Sequence, residues 1–413
     1  WDGDPYAVVV DNKIKYVRDG YTTSSNYPYA QRIDLGDAAR RNELGSRGVE
    51  GIGNYIRNSV KAVVDAYTGK VTLYAFDDKD PILQAWQKAF PNLFAPQSEI
   101  SDELRAHLRY PEDLFSIQTW IYASYHIGNP DDFYSKEDFW ALPDDRSGEI
   151  RGQENSGALA AAATSVKARP YYLLTKLPGR TQPEFVLVMP FTPNGKENMV
   201  SYLAADSDPG PDYGKLTLYS LDRSRTIFGP TQVNARTLAN PTIASELTLL
   251  NQQGSKVLLS NLLIVPVQES LLYVQPIFVQ GSAANSIPLL QKVAVVYSEE
   301  VGYADTLQDA VRQVVETAAH LTDRIGPRLT NSPGMRAAGA GYPRSREPAK
   351  RVDALRADPP RLPLPGSRAA QPDFVRGFTV TSGASAGATL HDSTGLRFAV
   401  GGTRSLSRRY TAI

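Results

Sequence analysis

Cysteine is absent from the 413 residues, which excludes disulfides, thiol nucleophiles and cysteine-ligated zinc. Zero cysteine fits either side of a bacterial membrane, so it leaves the compartment open. Histidine is nearly as scarce: His107, His126, His320 and His391 stand far apart, with no His-Glu-x-x-His or other paired-ligand spacing. Net charge is missing too. The 44 Lys and Arg balance 44 Asp and Glu, so no overall field recruits nucleic acid or an anionic surface, and no nucleic-acid partner is expected. There is no Gly-x-Ser-x-Gly elbow and no glycine loop built to cradle phosphate. Asp77-Asp78-Lys79-Asp80 lacks the glycine and closing Glu of a calcium loop and reads as a helix cap. No catalytic residue, metal or cofactor is therefore assigned.

An uninterrupted hydrophobic run is lacking as well. The nearest approach to one is "KVLLSNLLIVPVQESLLYVQPIFV", Lys256 to Val279. Glu269 falls inside it, and a charge near a membrane-helix centre costs roughly 2.5–3.5 kcal/mol. Pro266 and Pro276 break it further, so its short Val/Ile/Leu runs read as buried strands. The chain opens at Trp1 without a basic-then-apolar leader, which reads as a fragment or processed domain.

What is present is strand-and-turn chemistry. "YAVVVDNKIKYVRDGY" places Asp11-Asn12-Lys13 between apolar runs and reads as a hairpin. "NSVKAVVDAYTGKVTLYAFDD" repeats the pattern around Thr68-Gly69. Val60, Ala62 and Val64 alternate with Lys61 and Val63, and Gly69 supplies the positive φ such turns need. Two such hairpins favour antiparallel sheet. Helices follow. Asp80-Pro81 reads as cap and first-turn proline for "ILQAWQKAF", whose Ile82, Ala85, Trp86 and Ala89 form an apolar stripe. Ser101 caps "DELRAHLRY", and Pro111 starts a helix carrying Leu114, Ile117, Ile121 and Tyr125 at helical spacing. From Pro170 to Tyr297 strand-like runs return, with "PTIASELTLLNQQG" as the helix among them. "TLQDAVRQVVETAAHLTDRI" reads as a last helix capped by Thr306.

The fold class expected is α+β: largely antiparallel sheets with a helical insertion near 80–142 and a disordered C-terminal tail. Residues 1–143 form hairpins plus the helical segment. Residues 144–168, rich in small and charged residues, read as a mobile loop or linker, and 169–325 form a strand-rich segment packed with the first. The tail, 326–413, reads as disordered and basic: residues 331–413 hold 13 Arg/Lys against 5 Asp/Glu with weak periodicity. Out-of-frame translation of GC-rich DNA would also yield that composition.

Few side chains stand out as chemistry. Glu103 and His107 are four apart on a helix, with Arg109 and the Glu112-Asp113 pair nearby, a set that would suit a metal or acid/base cluster; that spacing is also an ordinary solvated i,i+4 pair, and no second histidine stands at ligand spacing. "GYTTSSNYPYAQ", Gly20 to Gln31, brings Tyr27 and Tyr29 together after the first hairpin, while Thr22, Thr23, Ser24 and Ser25 are suited to capping or turning. Tyrosine is abundant at 22, against 13 Phe and 4 Trp, and its ring with a polar tip suits interfaces as well as half-buried strands. Tyr27, Tyr29, His107 and Arg109 are the binding candidates that remain.

Several long stretches carry a resemblance. "GYTTSSNYPYAQ", "NYIRNSVKAVVDAYTGKVTLYAFDDKDPILQAWQKAFPNLF", "LRAHLRYPEDLFSIQTWIYASYH", "LPGRTQPEFVLVMPFTPNGKENMVSYLAADSD", "YGKLTLYSLDRSRTIFGP" and "LLSNLLIVPVQESLLYVQPIF" resemble, in the same order, segments of uncharacterised protein family zero-one-eight-two. The resemblance runs from Trp1 to about Asp323 and leaves out the tail. It implies a multi-pass protein of the cell membrane, in which N-terminal membrane helices, absent here, precede a soluble domain that faces the cell exterior. It carries over no catalytic residue. The function expected on this basis is a binding or assembly role in the cell envelope, with an envelope protein or lipid as partner. The alternative is an envelope hydrolase using carboxylates as acid and base.

Overall fold

The computed structural model describes residues 1–39, 48–145, 148–152, 159–161, 166–221, 226–252, 254–267, 270–283 and 285–317, together with four short strands between 379 and 409. The architecture is α+β with mostly antiparallel sheets, as the sequence leads one to expect. Apart from those four strands, the tail expectation lies outside the described residues. So do 146–147, 153–158 and 162–165 of the expected linker; its described parts are short strands, of which Gly148–Gly152 pairs with Ser255–Leu259.

The N-terminal sheet has five strands in the order Tyr6–Val10, Lys13–Ser24, Tyr55–Asp65, Val71–Ala75 and Phe94–Pro96. Its first turn is a two-residue loop with Asp11 and Asn12 both at positive φ (54° and 55°), the backbone that matches strand twist. Its inward face buries Val8, Val10, Val17 and Val63 against Ile100, Leu104 and Leu108 around the short helix Asp102–Ala106. Helix Pro81–Ala89 covers one end of the opposite face, where Leu83 meets Val60 and Ala75. The expected stripe of Ile82, Ala85, Trp86 and Ala89 does not face the core. Leu83 is the helix's buried residue, and Trp86 stands half exposed, stacked on Phe90. Nor are Thr22, Thr23 and Ser24 a turn: they continue the strand Lys13–Ser24 and pair with Tyr55–Arg57.

A central sheet follows, with Tyr171–Thr175, Glu184–Pro193, Ser201–Asp206 and Leu216–Ser220 antiparallel in sequence order. All residues of Ser201–Asp206 are buried, as befits a strand covered on both faces. One face packs Leu187, Met189, Phe191, Leu203 and Leu218 against Leu114, Phe115 and Ile117 of helix Glu112–Tyr125. The other packs Val186, Val188, Tyr202 and Ala204 against Val233 of helix Pro230–Ala239 and Ile264, Tyr273 and Val296 of a C-terminal sheet. That third sheet contains Ser255–Leu259, Leu263–Val267, Ser270–Gly281, Leu289–Tyr297 and Glu300–Ala304. Within the stretch Lys256–Val279 the described residues fall mainly in the strands Ser255–Leu259, Leu263–Val267 and Ser270–Gly281, as its short apolar runs imply, while Glu269 lies outside the described residues; among the described residues no helix is long and apolar enough to cross a membrane. Helices Pro241–Leu250 and 307–317 cover its two faces through Ile243 and Leu247, and through Ala310 and Val314.

Candidate functional site

The densest polar cluster lies where the N-terminal and central sheets meet, and Arg109 is at its centre. Helix Asp102–Ala106 ends at His107, and two residues later the Arg109 guanidinium enters a slot between aromatic rings. It lies 4.1 Å from the Tyr6 ring centre and 4.6 Å from that of Tyr172, and pairs with Asp4 at 2.5 Å. Such stacking suits a planar, weakly hydrated cation. The Arg109 carbonyl accepts from Tyr213 Oη at 2.7 Å and from Lys61 Nζ at 3.2 Å. Lys61 is fully buried. It pairs with Asp19 on the neighbouring strand and lies 4.8 Å from the Phe76 ring centre. Burial pushes the Asp19 carboxyl up, against the pull of Lys61. A lysine that reads as the outward member of an alternating strand is therefore an internal tie.

The acidic edge of the cluster sits at the start of helix Glu112–Tyr125. Asp2 Oδ2 accepts from the Asp113 amide at 3.1 Å and from the Tyr21 hydroxyl. Asp113 Oδ2 in turn accepts from the amides of Gly3 at 2.8 Å and Val49 at 3.3 Å. Glu112 shares a hydrogen bond with Asp4. Burial, then the charges of Asp4 and Asp2, push the Glu112 carboxyl up to about 7, with Arg169 opposing. A carboxyl in that range exchanges its proton at neutral pH.

A second ionic cluster caps the central sheet. Arg180 reaches Asp206 at 2.9 Å, Glu184 at 3.4 Å and Asp212 at 3.5 Å, while Lys215 holds Asp212 at 2.6 Å. Burial pushes Asp206 up to about 7, and the Arg180 charge opposes it. Cations stand among these acids, and among the described residues no group of three or more His, Asp or Glu is arranged to hold a metal ion.

The structure does not gather the four candidates from the sequence. Tyr27 stacks on Tyr55 with ring centres 6.1 Å apart, and its amide donates to Asn54 at 3.0 Å. Tyr29 stands 71% exposed at φ 61°. His107 is an exposed helix terminus. Glu103 accepts from the Asp11 amide at 3.0 Å, a contact to the first hairpin. Arg109 alone lies in a cluster, and there its guanidinium and carbonyl are both engaged by the protein itself. The sequence missed Lys61, Asp19 and Asp206; it set the Glu112-Asp113 pair beside Glu103 and His107, whereas the structure places Glu112 with Asp4 and Asp2. A buried Lys gives no local signal, although Tyr and Phe are common on every segment that converges here.

Open space is mostly apolar. A cavity of about 10 Å³ between Tyr171, Pro190, Tyr202, Ile264, Pro266 and Leu271 has room for about one water. A shallow open groove of about 440 Å³ runs along Pro81, Ile82, Ala85, Trp86 and Ala89, the outward stripe of helix Pro81–Ala89. No titratable side chain lines it, so it offers contact area rather than chemistry.

Comparison with known proteins gives one family. A family model described as "Uncharacterised protein family (UPF0182)" matches residues 1–250. Similar curated proteins, each described as a UPF0182 protein, come from Trichodesmium erythraeum (41% identical over 318 residues, 76% of this chain and 33% of the relative), Saccharopolyspora erythraea (42% over 322 residues, 78% and 32%) and Methanospirillum hungatei (40% over 314 residues, 76% and 32%). The chain therefore spans about a third of the length of the curated relatives it matches. No solved structure matches it.

Proposed function

The chain belongs to the uncharacterised protein family UPF0182, and from that premise we propose that it is a non-catalytic binding or assembly domain on the outer side of the cell membrane. The membrane-spanning part lies in the portion of the family's length that this chain does not cover. The observation that carries the reading is the outward apolar stripe with its groove along Ile82, Ala85, Trp86 and Ala89, continued by half-exposed Phe90 and Leu93. Large apolar side chains grouped on a surface mark interaction sites, and in the two clusters Lys61 pairs with Asp19, Arg109 with Asp4, and Arg180 with Asp206. The experiment is fractionation of the tagged, family-length protein, followed by purification of its stable complexes. Membrane localisation and an envelope partner lost on Trp86→Glu support the reading; a purely cytosolic pool overturns it.

A hydrolase that uses carboxylates as acid and base is the second reading, supported by Glu112, whose carboxyl is pushed up to about 7. Glu112→Gln that abolishes an envelope-hydrolytic activity without changing the fold would favour it over assembly.

A further inference from the structure

The outward face of the N-terminal sheet is apolar where a solvated face should be polar. In an antiparallel sheet with one wet side, outward positions alternate as polar residues. Here the cross-strand rows on that side are Val9 with Ile14, Ala7 with Tyr16, Val64 and Val71, and Arg18 with Ala62 and Leu73; Arg18 is the one charged member of these rows, and its Nε donates to the Asp2 carbonyl at 2.9 Å. The opposite parity carries Val8, Val10, Val17 and Val63, which are already covered from the inward side. Helix Pro81–Ala89 shelters only the far end of the outward face, over Val60 and Ala75. Tyr16 is left 49% exposed and Val71 56% exposed, with Val9 and Ile14 also open. Contiguous apolar rows of this kind are uncommon on a finished surface.

We infer that this face is an interface for a further segment of the same polypeptide, drawn from the family length outside these residues. Two observations favour that occupant. The matched relatives are about three times as long as the matched region, so ample chain is available to form another layer. Trp1 lies on this very face: its ring sits over Gly20, which pairs with Val60, with Cζ3 2.9 Å from where a Gly20 Cβ would be. Any residues joined ahead of Trp1 start on this surface and reach it without a long loop, a connection of small entropic cost. The contact is sheet face against a second layer, with Tyr16 and Val71 at its centre and the Trp1 ring at its margin. This inference does not rest on the assembly reading, which concerns the stripe on helix Pro81–Ala89.

The absence of cysteine makes the test direct. Tyr16→Cys and Val71→Cys are labelled with a maleimide in the 413-residue chain and in the same chain joined to the flanking polypeptide of the Saccharopolyspora erythraea relative. Both are held in the same detergent so that micelle shielding is common to them. Tyr134→Cys, at a residue 90% exposed, is the control. Labelling at 16 and 71 is expected to slow about tenfold or more in the joined protein, as for a site reached only by local opening, and to stay unchanged at 134. In parallel, Val71→Lys leaves the melting temperature of the 413-residue chain unchanged and lowers that of the joined protein. Equal labelling in both proteins overturns the inference. So does protection in the 413-residue chain that grows with its own concentration, which assigns the face to a second copy. Protection produced by phosphatidylglycerol–phosphatidylcholine vesicles alone overturns it in favour of a bilayer.

Discussion

Asp19 and Lys61 are directly paired residues on adjacent strands, and both side chains are buried between the N-terminal sheet and the Tyr110–Tyr213 region. Removing one partner from such a pair strands the other charge in a dry site, at a cost of about 3–5 kcal/mol. Lys61→Met is therefore expected to destabilise the fold by that amount in urea denaturation. The double variant Asp19→Leu/Lys61→Met should recover most of the loss. The Arg109 carbonyl keeps its bond from Tyr213, and Met fills the space between Phe76 and Tyr213. A double variant no more stable than Lys61→Met would show that the pair is not the unit.

Asp80 carries a helix cap and a cluster of hydroxyls at once. Its carboxylate accepts from the amides of Ile82 and Leu83 at 3.2 and 3.1 Å, from Tyr55 Oη at 2.6 Å and from Ser59 Oγ at 2.8 Å. Burial opposes its charge, but the bonds from Thr22, Tyr55 and Ser59 outweigh that and hold the carboxyl low. Asp80→Ala removes the cap and leaves buried hydroxyls unpaired, an expected loss of about 3 kcal/mol. Asp80→Asn keeps one acceptor and should lose clearly less. Thermal melts of the two variants check the order.

Much of this was legible where the signal is local. The Asp11-Asn12 turn, the Asp80-Pro81 cap, the Ser101 cap and the antiparallel hairpins follow from turn and cap chemistry, which nearest neighbours decide. Four features were not legible, each for a physical reason. Lys61 sits at an alternating position whose facing is set by Asp19 on another strand. Arg109 appears beside His107 as surface charge, yet its stacking partners Tyr6 and Tyr172 come from segments far away in the chain. The stripe on helix Pro81–Ala89 is a real periodicity, but periodicity names a face without saying what covers it, and here the single Leu83 docks the helix. Helix Pro230–Ala239 was not read at all; its mixed Thr, Gln, Asn and Arg positions give no clean stripe, and it is held by Val233.

Glu112 should leave a mark on the dependence of stability on pH. Its folded value of about 7 lies above the ordinary 4.5, so the folded state binds the extra proton. Its contribution is complete below about 4.5 and is lost as pH rises towards 7. His126, half-buried and stacked on Trp140 at 3.7 Å, acts the other way: desolvation lowers it to about 4, so its neutral form favours folding as pH rises from 4 to 6.5. Glu112→Gln removes the first effect only. The slope of unfolding free energy against pH should therefore become more positive between 4.5 and 7, measured by urea titration at each pH. An unchanged slope would place the Glu112 proton outside folding.

Gly20 is the point at which the first residue touches the sheet. A Cβ there would lie 2.9 Å from Trp1 Cζ3 and 3.0 Å from Val60 Cβ, both inside ordinary contact. The Trp1 ring is half exposed and can swing away, whereas Val60 is fixed in a paired strand beneath helix Pro81–Ala89. Gly20→Ala is thus expected to cost about 1–3 kcal/mol through overpacking and to shift tryptophan fluorescence to the red as Trp1 is displaced. In a Trp1→Ala background the same substitution should cost less but still something, because the Val60 contact remains. A full cost in that background would show that Trp1 does not hold its place over Gly20; no cost at all would show that the strand yields at Val60.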